Sequence, residues 1–115
     1  MIVKKEELRF QSRANIRGGR GKALAANYLE EGDQLNIKFI SLIELEPGTT
    51  IGEHLHENDE EFYIVTKGSG TGVLDGQRFA LSEGDAFLCK MHHAHGIEAS
   101  NGGLTFLAVL SESKA

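Results

Sequence analysis

From residue 36 onward the chain is punctuated so often by turn-forming residues that no helix of ordinary length fits between them. Glu46-Pro47-Gly48-Thr49, Lys67-Gly68-Ser69-Gly70, Asp75-Gly76, Ser82-Glu83-Gly84-Asp85 and Asn101-Gly102-Gly103 break the sequence into short apolar runs. Turn residues supply positive φ or a preset φ at little cost, so their recurrence between short runs marks strands in a sandwich or barrel. Asp75-Gly76, flanked by Thr71–Leu74 and Gln77–Leu81, has the two-residue form of a tight hairpin. Ile37, Phe39, Ile43 and Leu45 fall on one face of an extended segment and Ile40 and Leu42 on the other, which predicts a strand covered on both sides. The expected fold is all-β: an antiparallel barrel or double-sheet sandwich.

Composition agrees. The 115 residues include 14 glycines and 1 proline, with 40% apolar and 25% charged residues. Glycine without a three-residue repeat fits many tight turns, and the apolar share is enough for one core. Twelve basic residues against seventeen acidic give a net charge of -5, which argues against a nucleic-acid-binding surface. The one basic cluster, Arg13, Arg17, Arg20 and Lys22, could hold an anion but reads as a solvated arm. The longest apolar stretch, Leu104 to Leu110, is far too short to span a membrane, and residues 1–10 lack the apolar segment of a signal peptide. The single cysteine, Cys89, cannot form an intramolecular disulfide. A cytoplasmic protein is expected.

Residues 1–35 read differently from 36–115. They carry the arginines and a Gly18-Gly19-Arg20-Gly21 run, and Ala23 to Leu29 suits either helix or strand. The division is therefore an N-terminal arm, 1–35, and a β-domain, 36–115. The glycines form no nucleotide loop: Ile16 stands six residues before Lys22 where the loop needs a glycine, and no helix follows Gly68-Ser69-Gly70-Thr71-Gly72.

The chemistry concentrates in two segments. His54 and His56 are two apart, so on a strand both imidazoles leave the same face. Glu60 and Glu61 follow four and five residues later, and Lys90–Gly96 contributes His92, His93 and His95. Imidazoles and a carboxylate presented together suit a borderline divalent cation.

These segments resemble the cupin family. Its first motif, Gly, five residues, His-x-His, a short gap, Glu, six residues, Gly, is matched by Gly48, His54, His56, Glu61 and Gly68. Its second motif is matched at Gly84 and His95, while Lys90, His92 and Ala99 stand where it has proline, glycine and asparagine. The resemblance implies a cupin-type double-stranded β-helix, or jelly-roll barrel. It also implies His54, His56, Glu61 and His95 as ligands of a divalent transition metal (manganese, iron, nickel or zinc), with Glu60 as the alternative to Glu61. His93 could compete for the metal or act as an acid–base group, or lie with His92 on a loop; Tyr63 is the other catalytic candidate. Phe39, Ile43, Tyr63, Val65, Phe87 and Phe106 are candidate walls, and no basic residue is assigned to the pocket. The family's range includes oxalate-type decarboxylases, dioxygenases, sugar-phosphate isomerases and plain ligand binders. A metalloenzyme acting on a small oxygenated or carboxylate metabolite is the first reading, a non-catalytic binder the second. The resemblance also implies a homodimer, with N-terminal residues strand-swapped or laid against the partner's sheet. Phe62 and Ile64, apolar on the face opposite Tyr63, want cover from the second sheet or a partner subunit.

Overall fold

The structure, a computed structural model, describes residues 1–34 and 36–112; Leu35, at the boundary read from the sequence, and residues 113–115 lie outside it. Eight strands run Gln11–Ala14 (β1), Lys22–Leu29 (β2), Ile37–Leu45 (β3), Thr50–His56 (β4), Glu60–Leu74 (β5), Gln77–Leu81 (β6), Ala86–Cys89 (β7) and His93–Ser111 (β8). Among the described residues the only helical segments are single 3-10 turns at Lys5–Glu7 and Ile16–Gly18.

Two strands are too long for one sheet, and they make the architecture. The first part of β5 pairs with β7 and with the end of β8, where Val65 faces Phe106 and Phe62 faces Val109. Its second part pairs with β6 and with the start of β8, where Gly72 faces Ile97. Both strands bend between these halves, at register breaks around Val65/Lys67 and Gly68/Gly70. Gly68 sits at φ +82, and a Cβ there would lie 2.4 Å from the Gly103 carbonyl oxygen, so the bend needs glycine. The first halves thus share one sheet, extended through β3, β2 and β1, and the second halves share another with β4 and β6. This is the double-sheet arrangement expected from the turn spacing, and it has the jelly-roll form that the resemblance implies. Asp75 (φ 48) and Gly76 (φ 81) close the predicted hairpin between β5 and β6.

The core lies between the sheets. Leu45, Ile51, Val65, Leu81, Ile97 and Phe106 are buried together, with Phe106 at 0% exposure. The N-terminal segment joins the first sheet: β1 pairs with β2, and β2 with β3, placing Ala23 opposite Leu45. The ambiguous Ala23–Leu29 stretch is therefore strand. Burial of Ala23 and Ala26 overrides alanine's helical preference, while Arg13 stands on β1 and Arg17 and Arg20 on or beside the turn after it, with exposed side chains. The turn that follows β1 lies flush on β4, where Arg20 N–H donates to Thr50 Oγ1 (2.9 Å) and Thr50 N–H to the Arg20 carbonyl (2.8 Å).

Candidate metal centre

Alternation along β4 sends His54 and His56 to one side, and β8 lies against that strand with His95 directly opposite His54. Glu61, the second residue of β5, reaches the same point from the other sheet. The three imidazole rings lie 4.7–5.0 Å apart between centroids. One ligand atom from each of His54, His56, Glu61 and His95 lies within 4.8 Å of all the others. Nitrogen and oxygen ligands at about 2.1 Å from a common ion span at most about 4.2 Å, so the cluster is close to the size a cation requires.

The orientation of the rings fits as well. His54 Nδ1–H donates to the Gly52 carbonyl at 2.7 Å, and His56 Nδ1–H to Asp59 Oδ1 at 2.6 Å. Each bond fixes the tautomer that leaves Nε2 free to ligate. His95 Nε2 lies 3.0 Å from His56 Nε2 and 3.1 Å from Glu61 Oε1. His95 Nδ1 is buried and has no hydrogen-bond partner among the described residues. Three nitrogen or oxygen atoms crowded this closely, two of them imidazole Nε2, are a donor set that a cation would satisfy.

Without a cation, charge is shared among these groups. Burial pushes the Glu61 carboxyl up, but hydrogen bonds from His56 and His95 outweigh it and hold the group at about 2. His56 is raised by its bond to Glu61, against burial and with help from Asp59. His54 is lowered by burial and by the nearby charges of His95, Arg17 and His56. Tyr63 is stacked on His95 at 4.7 Å, and burial, followed by the Glu61 charge, raises its hydroxyl well above the usual value. It remains a proton donor and not a base.

The other candidates fall elsewhere. Glu60 accepts from the Met91 N–H at 3.4 Å and is outside the cluster. His93 opens β8 on the exterior, about half exposed, with Nδ1 2.5 Å from Asp75 Oδ2. His92 occupies the preceding turn at φ 75. Phe39, Ile43 and Tyr63 line the cavity above the cluster, whereas Val65, Phe87 and Phe106 pack in or against the core beneath it. Cys89 is buried, and its thiol is pushed up to about 11 by burial and nearby carboxylates, which leaves it inert.

The cavity holds about 340 Å3 and is lined by His54, His56, Glu61 and Tyr63 on its inner side. Its lining also includes Arg9, Arg13 and Arg17, which corrects the expectation that no basic residue serves the pocket. The signal was present in the sequence: Arg9, Gln11 and Arg13 alternate with period two, as side chains on one face of a strand do. Asp59, likewise, reads as part of an acidic turn until its bond to His56 is seen.

A family model described as "Cupin domain" matches residues 41–110. The "Oxalate-binding protein" of Thermotoga maritima is 30% identical over 112 residues, covering 96% of this chain and 93% of that protein. A crystal structure of a "predicted oxalate decarboxylase" from Thermotoga maritima superposes with a TM-score of 0.93 at 29% identity, covering 98% of this chain and all of that one (100%). KdgF from Halomonas sp. superposes with a TM-score of 0.80 at 19% identity, covering 99% of this chain and 94% of the other. That more distant likeness concerns the fold alone.

Proposed function

The chain belongs to the Cupin domain family, and from that premise we propose that it is a metal-dependent cupin acting on a small carboxylate by decarboxylation or dioxygenation. His54, His56, Glu61 and His95 hold a divalent transition ion in this reading, with manganese, iron, nickel and zinc all compatible with the donor set. The observation that carries it is the convergence of three imidazoles and one carboxylate beside a cavity large enough for a metabolite. A closed structural site would have no such space next to it. The ion, when bound, would supply Lewis acidity to an oxygen of the ligand.

The protein's own groups supply the rest. Gly52 and Asp59 orient two of the imidazoles, Tyr63 offers a protonated hydroxyl to the cavity, and Phe39 and Ile43 exclude water from its wall. A second reading, reversible binding without turnover, has two supports. Tyr63 is the one cavity group outside the cluster suited to donate a proton, since His93 lies on the exterior. The related protein of Thermotoga maritima bears the name oxalate-binding.

The test begins with metal analysis of the purified protein. Metal-reconstituted protein is then incubated with oxalate and other small carboxylates while carbon dioxide release and dioxygen uptake are followed. Turnover that disappears on chelation supports the enzyme; saturable, metal-dependent heat of binding without turnover supports the binder. Protein lacking metal after reconstitution, or His54→Ala/His56→Ala protein that retains it stoichiometrically, would overturn both.

The reading includes a cytoplasmic homodimer. Ile40, Val109, Phe62 and Leu88 lie side by side across four neighbouring strands, outside the core cluster, with Phe62 37% and Leu88 40% exposed. A row of that kind favours cover by a second subunit.

A further inference from the structure

We infer that Arg13 and Arg17, with Arg9, form an anion subsite at the outer end of the cavity, which selects ligands carrying a second negative group. This deepens the reading of the cavity as a metal-dependent carboxylate site, and rests on it for the ligand's first carboxylate. Arg9 and Arg13 line the cavity because they share with Gln11 one face of the extended chain that leads into and through β1. Arg17 reaches the same cavity by a different route, from the turn that follows β1.

That turn is held in an uncommon conformation. Asn15 and Arg17 both have left-handed backbone, at φ 52 and φ 53, which non-glycine residues rarely adopt. Conformations of this kind persist where the surroundings over-determine them, often at ligand-binding positions. Here the surroundings are explicit. Asn15 N–H donates to the Gly21 carbonyl (3.1 Å) and Gly19 N–H to the Ile16 carbonyl (2.9 Å). The Arg17 carbonyl oxygen approaches Gly52 so closely that a Cβ there would stand 2.0 Å from it. Gly52 is also the residue whose own carbonyl fixes His54. The turn that carries Arg17 is therefore seated on the strand that carries two members of the cluster.

The charges are uncommitted. Arg20 and Arg78 both pair with Glu98, and Lys38 with Glu112, but Arg9, Arg13 and Arg17 have no ion pair among the described residues. Of the carboxylates lining the cavity, Asp59 is bonded to His56 and Glu61 belongs to the cluster, leaving Glu30 as the one opposing charge. Three guanidinium groups against one carboxylate leave the outer lining positive, in a chain whose net charge is -5. Guanidinium groups match carboxylate oxygens in paired, planar geometry. A cavity of about 340 Å3 has room for more than a two-carbon acid. The ligand class that fits is a small dicarboxylate with an aliphatic spacer, one end at the cluster and the other at the arginines.

The experiment compares succinate with butyrate, which have the same chain length and differ by one carboxylate, using calorimetry on metal-reconstituted protein. Wild type is expected to bind succinate at least about tenfold more tightly, as one charge-assisted hydrogen bond would give. R13Q/R17Q should bring that ratio close to one while leaving butyrate affinity, metal stoichiometry and melting temperature unchanged. Sulfate titrated into chelator-treated protein, against chloride at matched ionic strength, reads the arginines alone; wild type should be stabilised and R13Q/R17Q should not. A succinate preference that is absent from wild type, or survives in R13Q/R17Q, overturns the subsite while butyrate and metal binding leave the functional reading standing. Loss of all metal binding with the sulfate effect intact does the reverse.

Discussion

Replacing Gly52 by alanine puts a methyl group where the Arg17 carbonyl oxygen now lies. The added Cβ would stand 2.0 Å from that oxygen, 2.9 Å from its carbon and 3.1 Å from the Gly19 nitrogen, so backbone has to move. Gly52 does not have a positive φ, hence alanine itself is unstrained and the contact is the whole cost. Restoring an ordinary separation of 3.4 Å needs a retreat of about 1.4 Å by the turn at 15–21. That retreat breaks the two hydrogen bonds between Arg20 and Thr50, now 2.9 and 2.8 Å. At roughly 1 kcal/mol net each, G52A should lose about 2 kcal/mol. A domain of this length unfolds with an entropy of about 0.24 kcal/mol/K, so the melting temperature should fall by about 8 °C. Because the Gly52 carbonyl also orients His54, metal affinity should drop by roughly 10- to 100-fold in a chelator competition. G102A is the control: its Cβ would meet nothing closer than Ser100 Oγ at 3.9 Å, and it should shift stability by less than about 0.5 kcal/mol. A G52A protein that melts with wild type and keeps its metal affinity would refute the claim that this close approach seats the turn.

Further expectations concern the cluster, the core and the exposed sheet face. Asp59→Asn should weaken metal binding by about 10-fold or more, read by competition with a chromogenic chelator, because His56 loses its carboxylate acceptor at 2.6 Å. Phe106→Ala, at a fully buried position, should cost about 3–5 kcal/mol in urea denaturation, whereas Leu55→Ala, 54% exposed, should cost under about 1 kcal/mol. In metal-free protein the lowered Glu61 contributes stability above 4.5 that is lost as pH falls toward about 2, and the raised His56 contributes stability below 6.5 that is lost as pH rises through its folded value. The urea midpoint should therefore be highest between those limits, and a midpoint flat across pH 3 to 8 would contradict the sharing of a proton at the cluster. Phe62→Lys should convert a dimer to monomer in light scattering; an unchanged mass would exclude the Phe62 face as the interface.

The parts of this molecule legible from the sequence are those fixed by local chemistry. Asp75-Gly76 announces its hairpin because both positions need positive φ, and they have it. His54 and His56 announce a shared face because strand period is two. The six-residue count to Gly68 in the motif that the chain resembles selects Glu61 over Glu60; β5 begins at Glu60, whose carboxylate accepts from the Met91 N–H. What local chemistry does not contain is register between distant segments. Ala23–Leu29 suits either helix or strand by local signal; it is a strand because Ala23 meets Leu45 and Ala26 is buried. Arg17 sits in a turn whose conformation is set by a glycine 35 positions later, Gly52, and no pattern around residue 17 records that contact.

This difference in origin has a consequence for specificity. His54, His56 and His95 sit on paired strands, and Glu61 stacks its strand against β7 and β8, so the cluster is rigid for the same reason the core is. Its geometry cannot change much without unfolding the sheets. Arg13 and Arg17 belong to the outermost strand of the first sheet and its turn, and Arg9 to the chain leading into it, where side chains are exposed and substitutions cost little stability. A cation and the first carboxylate would then be held by the rigid, strand-paired part of the architecture, and the remainder of the ligand by its exposed edge. Changing the three arginines should alter which acid binds while leaving metal binding intact, and changing any of the four cluster residues should abolish both together. A variant series that separates the two effects in the opposite sense, losing metal on Arg17→Gln, would mean that the turn supports the cluster structurally and does not form a ligand subsite.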